Sequence, residues 1–156
     1  MSQQPIFNIV LVAPEIPGNT GSIGRTCLAL GARLHLIRPY GFSLDEKEVR
    51  RAGLDYWKYV DLVEYDSIEE LLEKNKPEPI YYFSKKATKP LYEAKFTQGC
   101  WLVFGRETAG LDDDLMDKNL DRLLTLPIYS EHVRSLNLSN AATAVAYEAL
   151  RQIHFK

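Results

Sequence analysis

The run Trp101-Leu-Val-Phe104 carries no polar position, and it is entered from Gly99 and left through Gly105. A strand that is apolar at every residue has to be covered on both faces. Similar short segments recur along the chain. Phe7–Val12 reads as a buried strand stopped by Pro14 and Pro17, and Arg33–Ile37 as a second strand closed by Pro39. Tyr59–Tyr65, Ile80–Phe83 and Arg122–Leu126 complete the set. Helical signals lie between them. Ile23, Cys27 and Leu30 fall at i, i+4 and i+7, predicting a helix that ends near Gly31. Ser43-Leu-Asp-Glu46 and Ser67-Ile-Glu-Glu70 are capping-box patterns, the first opening a helix that ends near Gly53. A last helix runs from Leu138 to about Ile153, with an apolar stripe from Leu138 through Ala142, Val145 and Ala149. Apolar strands alternating with helices mean an α/β fold, a mostly parallel sheet with helices on both faces. At 156 residues the whole chain, 1–156, reads as one domain.

No apolar run is long enough for a membrane span, and the start Met-Ser-Gln-Gln-Pro has no secretory pattern. Cys27 and Cys100 are far apart and show no metal-ligand spacing, so a reduced, cytoplasmic protein is expected. The net charge of −2 argues against bulk electrostatic binding of nucleic acid. Local basic patches remain available, namely Arg25, Arg33 and Arg38, then Arg50 and Arg51, then Lys85, Lys86 and Lys89.

Several chemistries are disfavoured. The glycines at 18, 21 and 24 do not spell the dinucleotide fingerprint, and neither a P-loop nor a nucleophile elbow is present. His35, His132 and His154 are scattered, so no histidine-based metal site is expected. Asp112-Asp-Asp114 reads as the acidic first turn of a short helix. What remains is a trio of polar loops after Val12, Phe104 and Leu126, at the sheet edge where such folds bind ligands. The first offers Asn19, Thr20, Ser22 and Arg25; the second is Gly105-Arg-Glu-Thr-Ala-Gly110; the third contains Ser135-Leu-Asn-Leu-Ser-Asn140. Composition stops at a small-molecule site for an anionic or nucleotide-like ligand.

Together the three segments resemble the motifs of the SPOUT methyltransferases. Pro14-Glu-Ile-Pro-Gly-Asn-Thr-Gly-Ser-Ile-Gly-Arg25 resembles the first motif, Phe104-Gly-Arg-Glu-Thr-Ala-Gly-Leu111 the second, and Arg134-Ser-Leu-Asn-Leu-Ser-Asn-Ala141 the third. Arg50-Arg-Ala-Gly-Leu-Asp-Tyr-Trp57 and the short length resemble the minimal subfamily that methylates the wobble ribose, cytidine or uridine, of tRNA-Leu. The resemblance implies a C-terminal trefoil knot, a homodimer packed through the first and last helices, and S-adenosylmethionine as methyl donor, leaving S-adenosylhomocysteine, without a metal. It places cofactor contacts on Phe83, Gly105, Leu126, Ile128, Ser135, Leu136 and Asn140, with Phe83 and Leu126 sandwiching adenine. It places catalysis on Arg25, Ser135 and Asn137. RNA contact is expected from Arg25 and from the local basic residues, Arg50 and Arg51 first, then Lys85 and Lys86. Glu107 is expected to brace the second loop by accepting backbone N–H bonds. Ser22, Ala109 and Asp112 depart from the common pattern, and Arg106 stands where some relatives have proline.

A guanidinium is too basic to serve readily as a free base, so Arg25 is expected to hold phosphate and stabilise the developing alkoxide. The alternatives are the same chemistry on another tRNA or rRNA site, a non-catalytic RNA-binding module, and a nucleotide-dependent enzyme using the first loop.

Overall fold

A computed structural model describes residues 4–44 and 54–155. Six strands form one sheet: β1 (Asn8–Val12), β2 (Arg33–Ile37), β3 (Leu62–Tyr65), β4 (Ile80–Phe83), β5 (Trp101–Phe104) and β6 (Leu123–Leu124). Every ladder is parallel, in the order β3-β2-β1-β5-β4-β6. Among the described residues the α-helices are α1 (Pro17–Leu30), α2 (Ile68–Asn75), α3 (Asp113–Asp117) and α4 (Leu138–His154). The α/β class expected from the apolar strands is the one found.

Strand periodicity divides the interior into two cores. Ile9, Leu11, Leu34, Leu36, Leu102 and Phe104 point to one face, where Ile23 and Cys27 of α1 and Val145, Ala146 and Ala149 of α4 cover them. Val10, Ile37, Tyr82, Trp101 and Val103 point to the other, under Leu71 of α2 and Met116 of α3. The small residues of α4 let it lie close to α1, and Thr26 and Thr143 share a hydroxyl hydrogen bond of 3.0 Å across that contact. Among the described residues no helix is long and apolar enough to cross a membrane.

Boundaries moved where local chemistry competed with the pattern. The expected strand from Tyr59 begins only at Leu62, because Leu54–Tyr59 turns as a 3-10 helix. Arg122 closes another 3-10 turn, which leaves β6 two residues long. Ser67 caps α2 by accepting from Glu70 N–H at 3.1 Å. Glu70 answers one residue further out, accepting from Asp66 N–H at 2.7 Å rather than from Ser67. The helix expected after Ser43 falls mainly on residues outside those described.

The strand order places the site. From β1 the sheet grows outward through β2 and β3, and β5 later enters on the other side of β1. The loops that leave β1 and β5 therefore lie side by side at the carboxyl edge, where the direction of strand addition reverses. Open parallel sheets bind ligands at such a point.

Candidate active site

A cleft of about 550 Å³ opens at this edge, within the size range of small-molecule sites. Its floor includes Phe83 and Phe104, whose rings stack 4.8 Å apart at 9°. Phe83 is 7% exposed, so most of its ring is core and only an edge meets the cleft. Leu126 and Ile128 form one wall, Ser135 to Leu138 another, and the 105–111 loop a third.

That third wall is a tight reversal. Gly110 N–H donates to Arg106 O at 2.9 Å, folding the loop back on itself. A Cβ on Gly105 would overlap the backbone of Gly110 and Leu111, so only glycine fits there. Arg106 turns to Asp112, Nη2 to Oδ1 at 2.7 Å. Two of the positions noted in the sequence as unusual are thus partners. Arg106 Nε is buried and has no hydrogen-bond partner among the described residues.

Two carboxylates tie this wall to the start of α1. Glu107 accepts from Glu15 N–H at 2.8 Å, Ile16 N–H at 3.0 Å and Asn19 Nδ2 at 3.2 Å. Glu15 replies by accepting from Thr108 N–H at 2.9 Å and its hydroxyl at 2.8 Å. These Thr108 bonds, backbone first, hold the Glu15 carboxyl below the ordinary carboxylate range. Glu107 accepts backbone N–H bonds, as expected, and its donors lie in the β1–α1 connection. Ile16 makes no side-chain cap for α1, and the Glu107 carboxylate on its N–H places negative charge at the positive end of the helix. Glu15 and Thr108 were missed because their pairing spans 93 residues and leaves no local signal.

The first motif is not a loop. Pro17 starts α1, so Asn19, Thr20, Ser22 and Arg25 are helical residues. Proline in the first turn costs no hydrogen bond, and the glycines behind it are tolerated in a packed helix. Ile16 and Asn19 reach the cleft lining. Arg25 does not: it is exposed on α1, with its guanidinium 5.3 Å from the centre of the Tyr56 ring.

In the third motif Asn137 is the N-cap of α4. Its Oδ1 accepts from Ser139 N–H at 2.9 Å, Asn140 N–H at 3.2 Å and Ser139 Oγ at 2.6 Å. Asn137, Ser135 and Leu136 all border the cleft, and all are exposed. Asn140 is outside the lining, because the turn fixed by Asn137 carries it to an exposed position.

Lys85 and Lys86 stand exposed on the rim, and Lys86 Nζ lies 3.3 Å from Asp113. Arg50 and Arg51 are outside the described residues. Asp112 precedes α3 and Asp113 and Asp114 open it, as the helix-start reading required. Among the described residues no cluster of His, Cys, Asp and Glu is suited to a metal ion.

With the geometry in place, the chain can be set beside known proteins. A Bacillus subtilis (strain 168) protein, provisionally named tRNA (cytidine(34)-2′-O)-methyltransferase, is 51% identical over 153 residues, covering 96% of this chain and 95% of its own. A solved structure reported as "Structural insights into the 2-OH methylation of C/U34 on tRNA" superposes with a TM-score of 0.90 at 43% identity, over 96% of this chain and 97% of that one. The SpoU methyltransferase AviRb from Streptomyces viridochromogenes, solved with the cofactor AdoMet, has a TM-score of 0.81 at 28% identity, over 96% of this chain and 58% of that one. The SpoU rRNA Methylase family matches residues 6–147, and this chain belongs to that family.

Proposed function

We propose that this enzyme transfers a methyl group from S-adenosylmethionine to the ribose 2′-hydroxyl of the wobble nucleotide, cytidine or uridine, of tRNA-Leu. The observation that carries the reading is the meeting of the second and third motifs in one cleft at the carboxyl edge, about 550 Å³ in volume. The named relatives support the wobble position. The donor set suits the cofactor. An aromatic edge at Phe83 and the apolar walls at Leu126 and Ile128 suit an adenine ring. Gly105 lets the backbone come close, and Ser135 and Leu136 offer exposed groups to the polar end. S-adenosylmethionine supplies an electrophilic methyl on a sulfonium, which leaves as a neutral thioether.

The residues of this chain have the remaining work. A ribose hydroxyl is a weak nucleophile, so its proton must be removed or its developing charge stabilised. Arg25 is assigned the electrostatic part: it binds an RNA phosphate and favours the alkoxide. Ser135 orients the hydroxyl. Asn137 acts mainly by setting the start of α4, because its Oδ1 is already committed to three local donors. Asn140 is reassigned from cofactor contact to the outer face of that first turn. Lys85, Lys86, Arg50 and Arg51 carry the phosphate footprint.

Arg25 stands outside the cleft of its own chain. This favours the expected homodimer, in which the outer faces of α1 and α4 pack together and Arg25 serves the neighbouring copy's cleft. Exposed Tyr147 on α4 supports such a face. The trefoil knot is part of the same proposal. The chain must pass from edge strand β6, past β4 and β5, to α4 against α1, and it lines the cleft on the way. A cytoplasmic setting follows from the tRNA substrate.

The test is tritiated methyl transfer from S-adenosylmethionine to total tRNA. Wild type should label tRNA; Arg25→Ala should abolish transfer and keep calorimetric affinity for S-adenosylmethionine. Normal turnover by Arg25→Ala would overturn the role given to it.

A further inference from the structure

The segment Arg50–Trp57 marks the sequence, yet the cleft uses none of its described residues. Its 3-10 turn, Leu54–Tyr59, lies against α1 instead. Trp57 and Tyr56 meet two consecutive α1 residues. Trp57 packs on the first core and sits over Gly24, where a Cβ would come within 2.6 Å of its ring. Only glycine admits the indole this closely. Tyr56, next in the chain, is 45% exposed and presents its ring 5.3 Å from the Arg25 guanidinium.

The kind of contact matters. Among the described residues Arg25 has no carboxylate partner. A carboxylate would pin the guanidinium but occupy its fork of N–H donors. A ring face attracts the cation through its quadrupole and leaves the N–H donors at the guanidinium edge for an anion. The indole fixes the turn, the turn fixes the phenol, and the phenol restrains an arginine whose N–H edge has no partner among the described residues. Such an arrangement suits a cation that must meet phosphate oxygens in a set orientation.

We propose that Tyr56 is a positioning residue for Arg25, with the Trp57–Gly24 contact as its anchor, and that the pair orients the guanidinium toward a phosphate of the RNA substrate. This rests on the reading that Arg25 engages RNA. Tyr56 acts through Arg25 and touches no reacting atom.

The experiment is a double-mutant cycle on tRNA affinity, measured by filter binding with Tyr56→Leu, Tyr56→Phe, Arg25→Ala and Tyr56→Leu/Arg25→Ala. An exposed cation–π contact corresponds to roughly a two- to fivefold effect. Tyr56→Leu should weaken tRNA binding by that factor and lower kcat, while Tyr56→Phe, which keeps the ring, restores both. In the Arg25→Ala background Tyr56→Leu should change nothing further. Affinity for S-adenosylmethionine should be the same in all four. An unchanged affinity in Tyr56→Leu, or a penalty that persists without Arg25, overturns the proposal. Wild-type transfer to tRNA is read alongside: its absence would defeat the functional reading, whereas the cycle reports the coupling of residues 56 and 25.

Discussion

Asn8, His35, Tyr65 and Asn75 form a line of hydrogen bonds across β1, β2 and β3, while Glu15, Glu107 and Thr108 form another over the cleft. In the first line Asn8 Nδ2 donates to Gly99 O at 3.2 Å, so its Oδ1 accepts from His35 Nε2 at 2.9 Å. His35 Nδ1 then accepts from the Tyr65 hydroxyl at 2.9 Å, and Tyr65 accepts from Asn75 Nδ2 at 3.0 Å. Asn8, His35 and Tyr65 are buried, and the ring of Trp101 closes over His35 at 4.5 Å. Each named donor has an acceptor, and none of the four residues lines the cleft. The second line is exposed or half-buried and ties together two loops bordering a cavity. Histidine in a sequence suggests chemistry more readily than glutamate does. Here burial and satisfied bonding make the histidine structural, and the glutamates shape the site.

Substitutions at four positions separate the two lines. The largest effect on the cleft is expected at Gly105→Ala, where a methyl has to displace backbone. Overpacking of this kind costs about 1–3 kcal/mol, so affinity for S-adenosylmethionine should fall roughly tenfold or more by calorimetry. The largest effect on stability belongs to His35→Leu, which leaves Asn8 Oδ1 and the Tyr65 O–H donor without their His35 partner. Each buried unpaired group costs about 1–3 kcal/mol, and for a chain of this size each 1 kcal/mol lowers Tm by about 2–4 °C. Cofactor affinity of the folded variant should not change, and a loss there would blur the distinction between the two lines.

Burial, with a smaller contribution from Arg33, pushes the His35 pKa down from 6.5 to about 3. The unfolded chain therefore takes up a proton in that window and the folded chain does not. Stability falls as pH drops from about 6.5 toward 3, at up to about 1.4 kcal/mol per pH unit from this group. Urea melts of wild type and His35→Gln across that range should differ in slope, the variant being flatter.

Glu107→Gln comes third. It keeps the shape but cannot accept with both atoms, so the start of α1 loosens. A several-fold drop in affinity for S-adenosylmethionine is expected, with a small change in Tm. The smallest effect belongs to Ser67→Ala at the cap of α2, remote from both lines. It should cost about 1 kcal/mol in a urea melt and leave transfer unchanged.

The fold was legible because strand burial writes itself into composition. Trp101–Phe104, Ile80–Phe83 and Phe7–Val12 are apolar whatever lies beside them, and the sheet forms where they stand. The third motif was legible as a polar helix start, although which asparagine caps it depended on the turn geometry of Asn137. The first motif was read as a loop because its glycines weaken a helix locally. Packing against β1, β2 and α4 overrides that weakness. The Glu15–Thr108 and Glu107–Ile16 bonds had no local trace, since each joins segments about ninety residues apart. Arg25 was found by resemblance, but its place outside the cleft follows from the direction of α1.

The proposed methyl transfer to one ribose at the wobble position can be read directly from its product. A 2′-O-methyl group blocks alkaline cleavage of the next phosphodiester, so the product can be read from a hydrolysis ladder of tRNA-Leu treated with enzyme and S-adenosylmethionine. The expected product has a single alkali-resistant linkage after nucleotide 34, absent with Arg25→Ala. A ladder identical to that of untreated tRNA, or protection at any other nucleotide, would contradict it.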